Sequence, residues 1–180
     1  MGSIKGTDIV ALRKLFAEQG QAVEGAFLDG LPPELRSMYQ ATLYSTWSPV
    51  DQQTRLYEKA AESLFPGAPD RMQRLGRAMA DKSYSGVYKF FLRIPSIPIV
   101  VSLAAKVWGT YFDTGQATAE KTGNQEILFA VKRFPDLPPA MREVISGNIC
   151  SIMEYAGAKN VRVQHVPDNP QEWRWRIKWE

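Results

Sequence analysis

The sequence has little of the chemistry that usually marks an active site or a metal centre. Its 180 residues include one cysteine, Cys150, and one histidine, His165. A single cysteine excludes an intramolecular disulfide and a structural zinc site built from cysteines. Because no second histidine can act with His165, we interpret it as a core or edge histidine rather than a catalytic or metal-binding one. Cys150 has no histidine within a helical turn, so we interpret it as buried and unreactive, with a nucleophilic or lipid-attached cysteine as the alternative.

The common catalytic and phosphate-binding motifs are also missing. No G-x-S-x-G or H-E-x-x-H pattern occurs, and Gly67, Gly76 and Gly86 stand alone rather than in a glycine-rich loop. Glu58 and Glu62 are four residues apart, as surface carboxylates on a helix are, and they do not form a general acid–base pair. We therefore predict that the chain is not an enzyme, and we predict no catalytic residue and no metal site.

Charge and hydropathy exclude two classes of partner. The net charge is +3, and the lysines and arginines are dispersed along the chain, which argues against nucleic-acid binding. The most apolar region, from Phe90 to Phe112, is interrupted by charged residues and prolines, so we predict no membrane insertion. The first residues lead directly into a helical pattern without a signal peptide, and we expect a cytoplasmic protein.

Hydrophobic residues make up 44% of the chain, which suits one domain spanning residues 1–180. A helical part, about 7–113, precedes an α/β part, about 116–180. Residues 117–121 and 126–134 resemble a hairpin, and a helix follows Pro138-Pro139. In the last segment, Trp173, Trp175, Ile177 and Trp179 alternate with basic residues, which is the period of a half-buried strand. The fold class is therefore α+β: an N-terminal helical layer followed by strand-strand-helix-strand-strand with an antiparallel sheet.

Two neighbouring predicted helices, Tyr84 to Leu92 and Ile97 to Phe112, are unusually rich in aromatic residues. Such residues at helical spacing are often plain core. The alternative is an apolar pocket between these helices and the helix Met141 to Met153, with tyrosine hydroxyls to orient a ligand. The residues we predict to bind the ligand are Tyr84, Tyr88, Phe91, Trp108, Tyr111, Phe112, Ile145 and Ile149.

Several short segments together resemble a poorly characterised bacterial family that belongs with the haem-nitric-oxide-binding domains and the 4-vinyl-reductase-like domains. The segments are Ile4-Lys-Gly-Thr7, Ser85-Gly-Val-Tyr88, Tyr111-Phe-Asp-Thr-Gly115, Pro138-Pro139 and Val161-Arg-Val-Gln-His165 before a strand that ends at Trp179. The resemblance implies N-terminal helices followed by strand-strand-helix-strand-strand. It also implies a sensory domain that binds haem and gases, or a small apolar effector.

The sequence departs from the metal-binding members at three places. Where haem-binding members have an axial histidine, the segment Lys106-Val-Trp-Gly-Thr110 places Trp108, and an indole cannot ligate iron. Where they have a Tyr-x-Ser-x-Arg clamp for the propionates, Phe129-Ala-Val-Lys-Arg133 keeps only the arginine. The last hairpin loop lacks the cysteines of zinc-dependent relatives. We therefore expect no cofactor, with haem disfavoured.

These observations predict a cytoplasmic, non-enzymatic sensory domain that binds a small apolar ligand in a haem-free pocket, with a signalling protein as a partner. A first alternative is a protein-interaction domain or homodimer that uses an exposed aromatic face or a strand edge. A second is a haem-based gas sensor with an atypical axial ligand such as His165 or a tyrosine. A reductase acting on a tetrapyrrole is a more distant alternative, by analogy alone.

Overall fold

The computed structural model describes residues 2–84, 97–169 and 172–180. Its first half contains helices α1 (Thr7–Gln19), α2 (Gln21–Asp29), α3 (Pro33–Ala41), α4 (Val50–Leu64) and α5 (Arg71–Tyr84), with two short strands, β1 (Ser3–Lys5) and β2 (Trp47–Pro49). Its second half contains α6 (Ile97–Tyr111), β3 (Gln116–Gly123), β4 (Glu126–Lys132), α7 (Pro139–Tyr155), β5 (Arg162–Asn169) and β6 (Glu172–Lys178). The α+β fold class is confirmed.

Helix α1 follows the apolar spacing of the sequence. Ile9, Leu12 and Phe16 are fully buried on one face, as residues three to four apart on a helix should be. The helix ends before Gly20, whose φ of 97° lies in the left-handed region that glycine adopts without strain. Thr7 is the first helical residue and Gly6 precedes it as the N-cap, one position away from the predicted Thr7 cap.

The small sheet of β1 and β2 lies outside the sequence prediction, which has only helices between residues 7 and 113. Ile4 pairs with Ser48 across this antiparallel sheet and is 1% exposed. Gln53 of α4 donates a hydrogen bond from Nε2 to the Ile4 carbonyl at 3.0 Å. Three-residue strands are too short to show a period of two. Because Ser48 and Pro49 lie in β2, α4 begins at Val50 rather than at the predicted Pro49.

The larger sheet is antiparallel, with the strand order β3-β4-β6-β5. Both predicted hairpins are present. Trp173, Trp175 and Ile177 of β6 are 7%, 0% and 4% exposed, so they form the buried face that the alternation predicts. The Trp175 indole donates from Nε1 to Ser146 Oγ on α7 at 3.1 Å, so α7 covers this face of the sheet.

Helix α7 packs on α5 at close range. A Cβ atom added to Gly147 of α7 would lie 2.0 Å from the Gln73 carbonyl oxygen of α5. Glycine at this position allows the two backbones to approach closely. Within the described ranges, no helix is long and apolar enough to cross a membrane.

Candidate functional site

Helices α6 and α7, together with the large sheet, surround a cavity of about 130 Å³. Residues of α1 and α5 complete its wall. The lining is mostly apolar. Its members in the described ranges are Asp8, Ala80, Ser83, Val100, Val101, Ala104, Val107, Trp108, Tyr111, Phe112, Ala119, Ile127, Phe129, Ile145, Asn148, Ile149, Ile152, Met153 and Ile177.

An aromatic pair forms the wall on the side of α6. The rings of Trp108 and Phe112 are stacked, with centroids 4.0 Å apart and planes 10° from parallel. The Trp108 indole donates a hydrogen bond from Nε1 to the Thr114 carbonyl at 2.9 Å. This bond and the stacking fix the orientation of the indole, whose ring is nearly buried. Trp108 therefore contributes a rigid apolar surface to the cavity.

Three polar side chains interrupt the apolar lining: Asp8 of α1, Ser83 of α5 and Asn148 of α7. Asp8 is 6% exposed, and this burial raises the pKa of its carboxyl from 3.8 to about 6, while a hydrogen bond with Asn148 opposes the rise. In the described part of the chain, Ser83 Oγ and Asn148 Oδ1 are buried without a hydrogen-bond partner. These three residues, which we call the polar corner, give the cavity its hydrogen-bonding capacity.

The sequence prediction of the site did not include the polar corner. One signal was available, because Asn148 lies three residues after Ile145 and four before Ile152, on the buried face of α7. A polar residue on such a face points to a buried hydrogen bond or to a site. Asp8 gave no such signal, since an acid in the first turn of a helix is ordinary capping chemistry.

Five of the eight residues predicted to bind a ligand lie around this one cavity. They are Trp108, Tyr111, Phe112, Ile145 and Ile149. Tyr88, Phe91 and the side chain of Tyr84 fall outside the described residues, as does most of the helix predicted from Tyr84 to Leu92. Whether the five bind a ligand remains a prediction.

His165 and Cys150 are not among the cavity-lining residues. His165 is opposite Trp175 in the β5–β6 register, and their rings meet edge to face with centroids 5.5 Å apart. Cys150 is buried, which raises the pKa of its thiol, and Gln73 Nε2 lies 3.8 Å from its Sγ. A raised thiol pKa disfavours the thiolate. In the ranges that the structure describes, no group of three or more His, Cys, Asp or Glu side chains could hold a metal ion.

Comparison with known proteins gives a result for the fold alone. No protein-family model and no curated protein matches the sequence. An H-NOX protein from S. oneidensis in the Fe(II) ligation state superposes with a TM-score of 0.72 at 13% identity, covering 98% of this chain and 96% of that chain. An oxygen-binding H-NOX domain related to soluble guanylate cyclases superposes with a TM-score of 0.63 at 15% identity, covering 97% and 92%. A protein studied for haem redox potential modulated by porphyrin distortion gives 0.56 at 17% identity, covering 97% of each chain.

The chain therefore has an H-NOX-like fold. The predicted resemblance to haem-nitric-oxide-binding domains is confirmed at the level of the fold. The 4-vinyl-reductase part of the resemblance is not tested by these neighbours.

The prediction of no cofactor is contradicted by the same comparison. The neighbours are described as Fe(II), oxygen-binding and haem proteins, so they point to haem. The prediction of no cofactor considered only two short motifs, the axial-histidine segment and the propionate clamp. The fold that surrounds a haem is specified by the whole chain.

The described lining does not by itself fit a haem. It contains no histidine and no basic side chain, and Arg133, which the sequence resemblance sets against the propionate-binding arginine, is exposed. Trp108, which the sequence resemblance sets against the axial histidine of haem-binding members, donates its indole N–H to the Thr114 carbonyl. The lining residues with atoms of a type known to ligate haem iron are Tyr111 and Met153.

Proposed function

We propose that this chain is a cytoplasmic, non-enzymatic sensory domain that binds a small ligand in the cavity between α6, α7 and the large sheet. The observation that carries the proposal is the cavity itself, which gathers aromatic and aliphatic side chains from six elements of the fold. A mostly apolar pocket with a few polar groups is typical of small-molecule sites. The H-NOX-like fold supports a sensory role.

Ligand binding would act by a shift in the population of two conformations. Helix α6 contributes Trp108 and Tyr111 to the cavity wall on one side, and β4 and α7 contribute Phe129 and Ile149 on other sides. A ligand that contacts both sides changes the preferred position of α6 relative to the sheet. A signalling protein or a second copy of the chain would then recognise the changed surface.

The ligand has two candidate classes. The cavity favours a small apolar molecule, because an apolar cavity of about 150 Å³ is known to bind benzene. The structural neighbours favour haem, which makes a haem-based gas sensor the second candidate function. For this chain, haem would require an axial ligand other than Trp108, for which Tyr111 and Met153 are the candidates in the described lining.

The two classes are separated by native mass spectrometry and an absorption spectrum of the protein as purified from cells. A bound small apolar mass on a colourless protein supports the first candidate. A haem mass with a Soret band supports the second, and Tyr111→Phe and Met153→Leu then identify the ligand by its spectral change. If nothing is bound, the protein is titrated with ethylbenzene and with hemin. Saturable binding of one of them supports the corresponding candidate, and binding of neither contradicts the proposed function.

A further inference from the structure

We propose that the polar corner, Asp8, Ser83 and Asn148, makes the cavity selective for a ligand with a hydrogen-bond-donating head group on an apolar body about the size of one aromatic ring. This inference deepens the proposed function and rests on it, because it requires the cavity to bind a ligand.

Two polar atoms of the polar corner lack a hydrogen bond. Ser83 Oγ and Asn148 Oδ1 are buried and have no hydrogen-bond partner among the described residues. Buried polar atoms are almost always paired, because an unpaired one has lost its bonds to water without replacement. These two atoms lie on residues of different helices that line the same cavity. A polar ligand group that reaches either atom would supply the hydrogen bond that the atom lacks.

The hydrogen bond between Asp8 and Asn148 determines which Asn148 atom is left for a ligand. An ionised carboxylate only accepts, so the Asn148 side chain must bond to Asp8 through its amide nitrogen. That arrangement leaves Asn148 Oδ1 as a free acceptor, in agreement with its unpaired state. Two of the three groups in the polar corner therefore present acceptors, and the Ser83 hydroxyl can accept as well. A donating head group, such as an alcohol or a phenol, supplies the donor that Asn148 Oδ1 lacks. A ligand carbonyl can accept from the Ser83 hydroxyl or the Asn148 amide nitrogen, but it leaves Asn148 Oδ1 unpaired.

The remainder of the cavity limits the size and polarity of the ligand. Among the described lining residues, those outside the polar corner are aliphatic or aromatic, with the indole N–H of Trp108 and the hydroxyl of Tyr111 as further polar groups. The volume of about 130 Å³ is close to that of the apolar cavity of about 150 Å³ that accepts benzene. The ligand class is therefore a single-ring or short aliphatic molecule with one donating group at one end.

The test compares three ligands of nearly equal size: benzyl alcohol, which donates; benzaldehyde, which only accepts; and ethylbenzene, which does neither. Dissociation constants are measured by calorimetry or ligand-observed NMR on the full chain and on Asn148→Leu. We expect benzyl alcohol to bind the unmodified protein about tenfold more tightly than benzaldehyde, the equivalent of one good hydrogen bond. In Asn148→Leu, this preference should fall to within about twofold.

Ethylbenzene is the control for folding and for the proposed function. We expect it to bind Asn148→Leu at least as tightly as the unmodified protein, because leucine replaces the amide with an apolar group of similar size. If all three ligands bind and benzyl alcohol shows no preference, or shows the same preference in both proteins, the polar corner has no selective role. If none of the three binds the unmodified protein, the proposal that the cavity binds a small ligand is contradicted, and so is this inference.

Discussion

Gly76 of α5 lies directly against the backbone carbonyl of Val144 on α7: a Cβ atom at Gly76 would be 2.1 Å from that oxygen. The same helix crossing contains Gly147, which faces the Gln73 carbonyl. Neither neighbour is a flexible side chain, so a methyl group at either position must push the two helices apart. The crossing positions two parts of the cavity, since α5 supplies Ser83 and α7 supplies Asn148.

We therefore expect Gly76→Ala and Gly147→Ala each to lower the free energy of unfolding by about 1–3 kcal/mol, as overpacking does. Gly25→Ala is the matched control, because a Cβ atom on this α2 glycine has nothing within 4 Å. It should raise the free energy of unfolding by up to about 1 kcal/mol through helix propensity. Urea denaturation of the three variants measures these changes. Equal effects at all three positions would contradict the close packing of α5 on α7.

Asp8 predicts a pH-dependent stability. The folded-state pKa of its carboxyl is raised from 3.8 to about 6 by burial, against the Asn148 hydrogen bond. The folded protein therefore binds a proton that the unfolded chain releases, and stability is lost as the pH rises from about 4 to about 6. Because one pKa unit is about 1.4 kcal/mol, the ionised carboxylate costs about 3 kcal/mol above that window.

Asp8→Asn removes this cost. We expect the variant to be more stable than the unmodified protein by up to about 3 kcal/mol near pH 7.5 and similar to it near pH 3.5, measured by urea denaturation at both pH values. Glu58→Gln, at an exposed position on α4, should change stability by less than about 0.5 kcal/mol at either pH. A gain from Asp8→Asn that does not depend on pH would show that the carboxyl is not buried in its charged form.

Trp173 gives a prediction about the buried face of the sheet. Its indole donates from Nε1 to the Phe134 carbonyl at 2.6 Å, and the Arg142 guanidinium lies over its ring at 4.2 Å from the centroid. Trp173→Phe leaves the carbonyl without this donor and reduces the buried volume. We expect a loss of about 2–3 kcal/mol of unfolding free energy.

Trp179 is the control for Trp173, because it has the same side chain, follows the end of β6 and is only partly buried. Trp179→Phe should lower the free energy of unfolding by less than about 1 kcal/mol. A larger loss for Trp179 than for Trp173 in the same urea titration would contradict the burial of β6 described above.

Filling the cavity should prevent ligand binding. Ile149 of α7 lines the cavity, and Ile149→Phe places a larger side chain there. We expect the affinity for ethylbenzene to fall by about tenfold or more, which corresponds to about 1.4 kcal/mol. Leu103→Phe is the control: Leu103 is 42% exposed on α6 and should leave the dissociation constant unchanged. Calorimetry measures both variants, and an unchanged affinity in Ile149→Phe would place the ligand elsewhere.

Much of the fold could be predicted from local patterns. The alternation of Trp173, Trp175 and Ile177 and the prolines before α7 identified a strand and a helix, because strand and helix periods repeat within a few residues. The aromatic residues at the end of α6 and directly after it, Trp108, Tyr111 and Phe112, were predicted as cavity residues from their spacing. The strands β1 and β2 were missed, since three residues carry no measurable period and their pairing depends on contacts made far along the chain.

The sequence by itself determined which longer segments bury an apolar face, and therefore the order of the strands of the larger sheet and of helix α7, because burial of a periodic face is encoded in neighbouring residues. Only the tertiary structure decided the composition of the site. Asp8 and Asn148 are distant in sequence and hydrogen-bond through their side chains at one cavity. Burial beside the cavity gives both residues their chemistry. The raised pKa of Asp8 and the unpaired oxygen of Asn148 exist only because the fold removes the two side chains from water.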